Sequence, residues 1–129
     1  MLNPDSVGRT FNGAETVTVS QSQIDSFASV LGETNTDVAP PTFSIRITLD
    51  QMQKILSSSE VNLDWSRLVH GDQKFDIKRP IKAGDSFTCS STIESYKVAA
   101  GNEIVTVRGD LFSGSELVVS TWSTLVVRA

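Results

Sequence analysis

The sequence is poor in the residues that metal and covalent chemistry require. It has one cysteine and one histidine in 129 residues, so it lacks the usual Cys and His ligand set of a zinc site and has no pair of thiols for an internal disulfide. Cys89 stands in a strand-like stretch without a histidine nearby, which favours a small core residue. Because disulfides are rare in reducing compartments, the lone cysteine is consistent with a cytoplasmic protein. No metal or other cofactor is expected.

An excess of positive charge and a long apolar run are also missing. Eleven Lys and Arg residues stand against fifteen Asp and Glu, which gives a net charge of −4, and the pI is near 4.8. This balance argues against a nucleic-acid or anionic-membrane partner. No stretch approaches the roughly 20 apolar residues of a membrane span, and the first residues lack the basic and apolar regions of a signal peptide. We expect neither a membrane span nor a signal peptide.

What the sequence does contain is the composition of one globular domain. Hydrophobic residues make up 39% and charged residues 20% of the chain, as in ordinary folded proteins and unlike disordered tails. A chain of 129 residues is long enough for one core and too short for two ordinary domains. We therefore predict a single domain over residues 1–129.

The first readable elements are a strand at Glu15–Val19 and a short helix behind it. Ser20 and Gln23 have the spacing of a capping box, in which each side chain accepts the backbone N–H of the other residue. Gly32 provides a C-terminal stop. Between them, apolar residues recur at helical spacing: Ile24, Phe27, Ala28 and Leu31.

The segment after Pro40 and Pro41 fits two patterns. Apolar residues alternate as in a strand at Phe43, Ile45, Ile47 and Leu49, and also recur at helical spacing at Ile45, Leu49, Met52 and Leu56. Because the run from Thr42 to about Ser58 is too long for a typical strand and normal for a helix, we predict a helix. Its apolar residues lie on more than one face, so we expect other structure to wrap it.

The remainder is predicted to be strands. Alternating runs occupy Val69–Ile77, Phe87–Ile93, Ile104–Phe112 and Leu117–Val127, separated by turn signals such as Ala83-Gly84-Asp85, Ala100-Gly101-Asn102 and Ser113-Gly114. A long buried helix before an antiparallel meander predicts an α+β architecture in which the sheet curls around the helix. The edge strands of such a sheet commonly pair with another subunit.

Several segments carry a family resemblance, and it covers nearly the whole chain. They are Val7–Phe11, Val38–Phe43, His70–Phe75, Arg79–Asp85 and Ser123–Arg128, of which Arg79–Asp85 is the most specific. Together they resemble the N-terminal, fatty-acid-synthase-like branch of the MaoC-like dehydratase family, and especially the small subunits of actinobacterial 3-hydroxyacyl-thioester dehydratases. The resemblance implies a hot-dog fold, in which an antiparallel sheet wraps a central helix, here the predicted helix from Thr42.

The resemblance also implies a chemistry whose residues are missing. Family members remove or add water next to the carbonyl of an acyl thioester, using an Asp and a His in the loop before the central helix as acid–base partners. A backbone N–H at the start of that helix polarises the thioester oxygen. Here the loop Glu33–Val38 has no histidine. Pro41, which has no N–H, takes the place of the oxyanion donor, and Thr42 or Phe43 remains as an alternative.

Other candidate catalytic residues have simpler structural interpretations. Asp37 and Glu33 are typical turn residues. His70, the only histidine, is either a base or thioester contact, or a hydrogen-bonded structural residue where a strand begins, with Gly71 permitting a bulge. We favour the structural interpretation. Asp85 is expected to cap the turn that precedes the next strand.

These observations predict a non-catalytic, acyl-chain-binding subunit of a heteromeric (R)-specific enoyl-thioester hydratase or 3-hydroxyacyl-thioester dehydratase. Its partners would be an acyl-CoA or acyl-ACP substrate and a second hot-dog chain that carries the Asp and the His. The predicted substrate-binding residues are Pro41, Thr42, Phe43, His70 and Gly71. The alternatives are a non-enzymatic acyl-CoA-binding homodimer and a thioesterase, for which Asp50 on the helix would be the carboxylate.

Overall fold

The computed structural model describes residues 1–129 and contains two α-helices and six strands. The helices are α1 (Gln21–Leu31) and α2 (Ile45–Leu56). The strands are β1 (Thr10–Asn12), β2 (Val17–Thr18), β3 (Leu68–Ile77), β4 (Ser86–Ala99), β5 (Asn102–Ser113) and β6 (Glu116–Val127). Short 3-10 turns occupy Pro4–Ser6 and Trp65–Arg67.

The sheet is antiparallel, with the spatial order β1-β4-β5-β6-β3, and β2 adds to β4 off this path. The last three strands follow one another through tight turns, as the turn signals predict. β3, in contrast, returns to the far side of β6 and ends the sheet. The α+β class and the four predicted strands are confirmed. β4 is longer than predicted, because its pairing with β5 continues to Ala99.

Helix α1 has the predicted cap at each end. Ser20 Oγ accepts the Gln23 amide at 3.2 Å and Gln23 Oε1 accepts the Ser20 amide at 3.0 Å. Gly32 ends the helix with φ 75°, a left-handed conformation that glycine adopts without strain. Ile24 and Ala28 face inward and are fully buried.

Helix α2 begins later than predicted and is covered on one side only. Residues 41–44 form turns, and the helix starts at Ile45. Thr48 and Met52 are buried against β4 and β5, whereas Arg46 and Asp50 are exposed. The sheet therefore wraps the helix on the side of its buried residues, as predicted, and leaves the opposite side of the helix exposed. The apolar residues beyond the buried face lie on the flanks of the helix, where they are only half covered.

The buried interior consists of two apolar clusters separated by a polar seam. One cluster includes Phe43, Phe87 and Leu111, and the other includes Leu2 and Val127. The seam runs across the sheet through residues that are direct neighbours in register: Ser91, Gly109 and Thr121. Above it lies Thr48 of α2. A Cβ on Gly109 would come within 3.0 Å of Met52 Cε and 3.1 Å of Thr48 Cβ, so the helix makes its close approach to the sheet here.

A buried carboxylate ties the start of the chain to the sheet. Glu103 is 6% exposed, and its Oε1 accepts hydrogen bonds from the Leu2 amide at 2.8 Å and the Tyr96 hydroxyl at 2.7 Å. Burial works against the charged form, but these bonds outweigh it and hold the pKa of Glu103 below its ordinary value. Burial and the adjacent carboxylate raise the pKa of Tyr96 to about 12.

Candidate acyl-chain site at the start of the central helix

An apolar pocket lies beside the start of α2. Its volume is about 170 Å³. Three parts of the chain that are distant in sequence form it: the segment before α2, the end of β3 with the following turn, and β6. The lining residues are Val38, Ala39, Pro40, Pro41, Ile77, Pro80, Ile81 and Val119. None of these side chains titrates, so the pocket offers apolar contact and no acid or base.

The backbone at the start of α2 has fewer free N–H groups than a helix normally presents. Pro40 and Pro41 have none, and the Phe43 amide donates to the Pro40 carbonyl at 2.9 Å. The Thr42 amide forms no hydrogen bond within the chain. Of the two amides that the sequence leaves as possible thioester-oxygen donors, only that of Thr42 is available. The Phe43 amide is already used by the hydrogen bond of the turn.

Ser44 is the N-cap residue of α2 but does not cap it. Its backbone is already helical (φ −58°, ψ −21°), and its side chain makes no capping hydrogen bond. The Ser44 hydroxyl is buried without a hydrogen-bond partner. The Ser44 side chain therefore adds nothing to the capping of α2.

α2 and β3 are not closely packed against each other, and the gap between them is here called the cleft. On α2, the residues Ile45 and Leu49 lie on the flank opposite to β2 and β4, and both are half-buried. On β3, Gln73 and Phe75 are half-buried and Ile77 is 39% exposed. Their cross-strand neighbours on β6 are buried, so the cleft is covered by this chain on the β6 side and open beyond β3.

The structure divides the predicted substrate-binding residues between two places. Pro41 lines the pocket and Thr42 is exposed beside it. Phe43 is 1% exposed and packs edge-to-face on Phe27 with ring centroids 5.5 Å apart, so its side chain belongs to the core between α1 and α2.

His70 and Gly71 lie at the opposite end of β3 from Ile77, about 23 Å along the strand for seven residues. His70 is exposed, and its Nε2 lies 3.0 Å from the Asp72 carbonyl. The register shift between His70 and Asp72 is the bulge that Gly71 was expected to permit. Within one chain, these residues do not share a pocket with Pro41.

The turn that forms the rim of the pocket is held by charge. Asp85 Oδ2 accepts the Lys82 amide at 2.8 Å and a hydrogen bond from Arg79 Nη1 at 3.0 Å. Although burial acts in the other direction, the bonds from Lys82 and Arg79 lower the pKa of Asp85. This carboxylate fixes the segment that places Pro80 and Ile81 in the pocket wall, and the prediction that Asp85 caps the turn is confirmed.

Comparison with known proteins places this geometry in a family. The model for the FAS1-like dehydratase domain region matches residues 5–118. The chain belongs to the FAS1-like dehydratase family. A curated relative, the UPF0336 protein SCO4636 of Streptomyces coelicolor, is 38% identical over 144 residues, which cover 99% of this chain and 96% of the relative. Its name assigns no activity.

Solved structures show that the fold is the hot-dog fold of MaoC-like dehydratases. A chain of the C-terminally truncated HadBC complex, a 3R-hydroxyacyl-ACP dehydratase of Mycobacterium tuberculosis, matches with a TM-score of 0.83 and 22% identity, covering 95% of this chain and 97% of that chain. A MaoC-like dehydratase matches with a TM-score of 0.79 and 18% identity, covering 96% of this chain and 42% of that one. The predicted fold and family are confirmed.

In this chain, the loop before the central helix brings no histidine beside its carboxylates. Glu33 and Asp37 are both exposed, and the Asp37 amide donates to Asn35 Oδ1 at 3.0 Å. This bond is an Asx-type turn, which is the structural role expected for such residues. Asp50 is also exposed and lies 3.4 Å from Lys54 on the outer side of α2, away from the pocket.

Sequence reasoning did not identify the pocket walls formed by Val38, Ile77 and Val119. They come together only through the return of β3 to the far side of β6, and an apolar residue in a strand gives no signal of such a role. The structure also contains no group of three or more His, Cys, Asp or Glu residues that would hold a metal ion, and no helix long and apolar enough to cross a bilayer.

Proposed function

We propose that this chain is the non-catalytic, acyl-chain-binding subunit of a heteromeric (R)-specific enoyl-thioester hydratase or 3-hydroxyacyl-thioester dehydratase in the cytoplasm. The observation that carries the proposal is the pocket at the start of α2, which is lined by apolar side chains and contains no titratable group. Membership of a dehydratase family supplies the reaction class. A site without an acid or a base binds a chain but does not move protons.

The shape of the site supports an acyl chain as the ligand. Ile77 lines the pocket, and Ile45, Leu49 and Phe75 on α2 and β3 present further partly exposed apolar surface. A ligand that covers the remaining exposed apolar area gains about 25 cal/mol per Å². The free Thr42 amide beside the pocket suits a carbonyl oxygen of the same ligand. An extended acyl thioester on coenzyme A or acyl carrier protein combines both features.

The open edge of β3 supports a second hot-dog chain as the partner. β3 pairs only with β6, so the other side of this ten-residue strand presents unpaired backbone groups. A strand added antiparallel to this edge would place partner side chains over Ile77 and the pocket, and would close the cleft on its open side. Such a partner would bring the Asp and His that this chain lacks. The match to a chain of a dehydratase that is itself a complex agrees with this arrangement.

The test is co-expression with a neighbouring hot-dog gene that has an intact Asp and His. We expect the isolated chain to be inactive on an enoyl-CoA, and the purified complex to hydrate it at a normal enzyme rate. Hydration by the isolated chain at the rate of the complex would overturn the proposal. Acyl-CoA binding without activity in any complex would favour the homodimeric binding protein. Release of free coenzyme A would favour the thioesterase.

Substitutions in the complex separate chain binding from chemistry. We expect Ile77→Asp to raise KM for a long-chain enoyl-CoA more than for a short one, while kcat for the short substrate is kept. Val98→Asp is the matched control, because Val98 is 49% exposed on the far part of β4. Gel filtration of each variant complex shows whether the partner is still bound.

A further inference from the structure

A second groove lies on the other flank of α2, facing β2 and β4. Its volume is about 280 Å³, and it shares no lining residue with the acyl-chain pocket. Four polar α2 residues line it, and α1, β2, β4, the β1–β2 connection and the turn before α2 complete it. The lining residues are Glu15, Val17, Gln23, Phe43, Arg46, Ile47, Asp50, Gln51, Lys54 and Cys89.

The floor of this groove is apolar and chemically inert. Phe43 is 1%, Cys89 6% and Ile47 8% exposed, and Val17 packs against the same cluster. Burial, with a smaller contribution from the charge of Asp110, raises the pKa of the Cys89 thiol to about 12. The thiol is therefore protonated at neutral pH and serves as apolar surface.

One of the two cations of the groove forms ion pairs and the other does not. Lys54 Nζ lies 3.4 Å from Asp50 and 3.7 Å from Glu15, so these carboxylates share one ammonium group. Arg46 has no carboxylate within ion-pair distance, and its guanidinium carbon lies 5.9 Å from the centre of the Phe43 ring. Arg46 is thus the cation of the groove that is free to bind an anion, and it stands beside the apolar floor.

Two carboxamide groups in the groove also have free N–H donors. Gln23 uses its Oε1 for the α1 cap, and neither its Nε2 nor that of Gln51 forms a hydrogen bond within the chain. Gln51 lies against Gly13, where a Cβ would come 2.8 Å from Gln51 Cδ and 2.9 Å from the Cys89 carbonyl oxygen. Only glycine leaves room for this position of Gln51, so the groove wall depends on the absence of a side chain at Gly13.

We infer that this groove binds a small organic monoanion, with its carboxylate at Arg46 and the carboxamides and its apolar part on the floor. Lys54 is the only cation of the lining that is engaged by Asp50 and Glu15, so Arg46 can pair with one negative charge of a ligand. A more highly charged anion would meet Asp50 and Glu15 without compensation. The volume is below that of typical drug-sized pockets, which limits the ligand to a short acid.

The test is a titration of the ¹⁵N-labelled chain with hexanoate, hexanamide and inorganic phosphate, followed by amide chemical shifts. We expect saturable shifts around Ile47, Gln51 and Cys89 with hexanoate, and at least about tenfold weaker binding of hexanamide and phosphate. Arg46→Gln should weaken hexanoate binding by about tenfold or more. Lys97→Gln removes the same charge from an exposed site on β4 and should leave it unchanged.

Each other outcome would overturn the inference. Equal binding of hexanamide would show that charge has no role, and equal binding of phosphate would show that the apolar floor has none. An unchanged affinity in Arg46→Gln would remove the proposed anchor, and the same spectrum shows whether this surface variant is folded. Shifts confined to Ala39 and Ile81 would place hexanoate in the acyl-chain pocket.

Discussion

The two flanks of α2 offer different chemistry although one helix forms both. On one flank, Ile45 and Leu49 are half-buried, and the pocket at that end of the helix contains no titratable side chain. Towards β4, Arg46 and Lys54 face a groove with balanced charges over an apolar floor. The difference follows from the helical repeat, since residues one or two positions apart point to different sides. An amphipathic helix with one buried face thus still has two distinct half-exposed margins, each suited to a different ligand.

The largest effect is expected from a change that disturbs both flanks at once. Gly109→Ala would bring a methyl group against Met52, Thr48 and Thr121, and overpacking of this kind costs about 1–3 kcal/mol. We expect urea unfolding to show a loss of stability near the upper end of that range.

Gly71→Ala is the control for Gly109→Ala. A Cβ at Gly71 meets the Thr124 carbonyl oxygen at 3.3 Å, and Gly71 is exposed, so the loss should be below about 1 kcal/mol. Equal losses would contradict a close helix–sheet approach at Gly109.

The next largest effect is expected for ligand binding, and it distinguishes the two sites beside α2. Ile77→Asp places a charge in the apolar pocket and should weaken acyl-chain binding by about tenfold or more, because it removes about 1.5–3 kcal/mol of apolar contact. Hexanoate binding in the opposite groove should stay within twofold, measured by the same titration. A parallel loss at both sites would show that the flanks are one connected site.

A pH dependence is expected at the rim of the pocket. Asp85 has a folded-state pKa below its ordinary value of 3.8, so it stabilises the fold above pH 3.8 and loses this contribution as the pH falls through the folded pKa. Asp85→Asn should remove that part of the acid-induced loss of stability, with a cost of about 1–2 kcal/mol at neutral pH. The measurement is urea unfolding between pH 7 and pH 3. Asp72→Asn, at an exposed carboxylate without a hydrogen bond, should leave the profile as it is.

The smallest effect concerns the charged groove. Lys54→Gln breaks the contacts with Asp50 and Glu15, which are exposed ion pairs, so the free energy of unfolding should change by less than about 0.5 kcal/mol. Hexanoate binding should weaken all the same, because the two carboxylates lose their compensating charge and then oppose the ligand. A large stability loss would mean that the ion pairs hold the helix.

Local signals explain which features the sequence predicts. The capping box of Ser20 and Gln23 and the stop at Gly32 depend on residues within one or two turns, and they are found as predicted. The predicted start of α2, at Thr42, is too early. Pro40 and Pro41 have no N–H for helical hydrogen bonds, but the sequence does not show that the turn after them lasts until Ser44. The segments that resemble the family predict the hot-dog fold, because their order along the chain is characteristic of that family.

The sites depend on contacts that no local pattern records. Pro41 was identified through the family motif, but Ile77 and Val119 reach the pocket only because β3 returns beside β6. The opposite groove depends on Gly13 and Gln51, which are 38 positions apart and have no distinguishing neighbours. Their meeting is a property of packing between distant segments, and it becomes visible only in the three-dimensional structure.

The tie between Leu2 and Glu103 bears on how the chain folds. Leu2 and Val127 belong to the same apolar cluster, so residues 125 positions apart must meet before this cluster is closed. The other cluster already contains α1 and part of β2, but it too needs β5 and β6. Long-range closure of this kind delays folding. Both clusters therefore stay open to water until distant segments have met, so we expect refolding from urea, followed by tryptophan fluorescence, to be slow for a domain of this size.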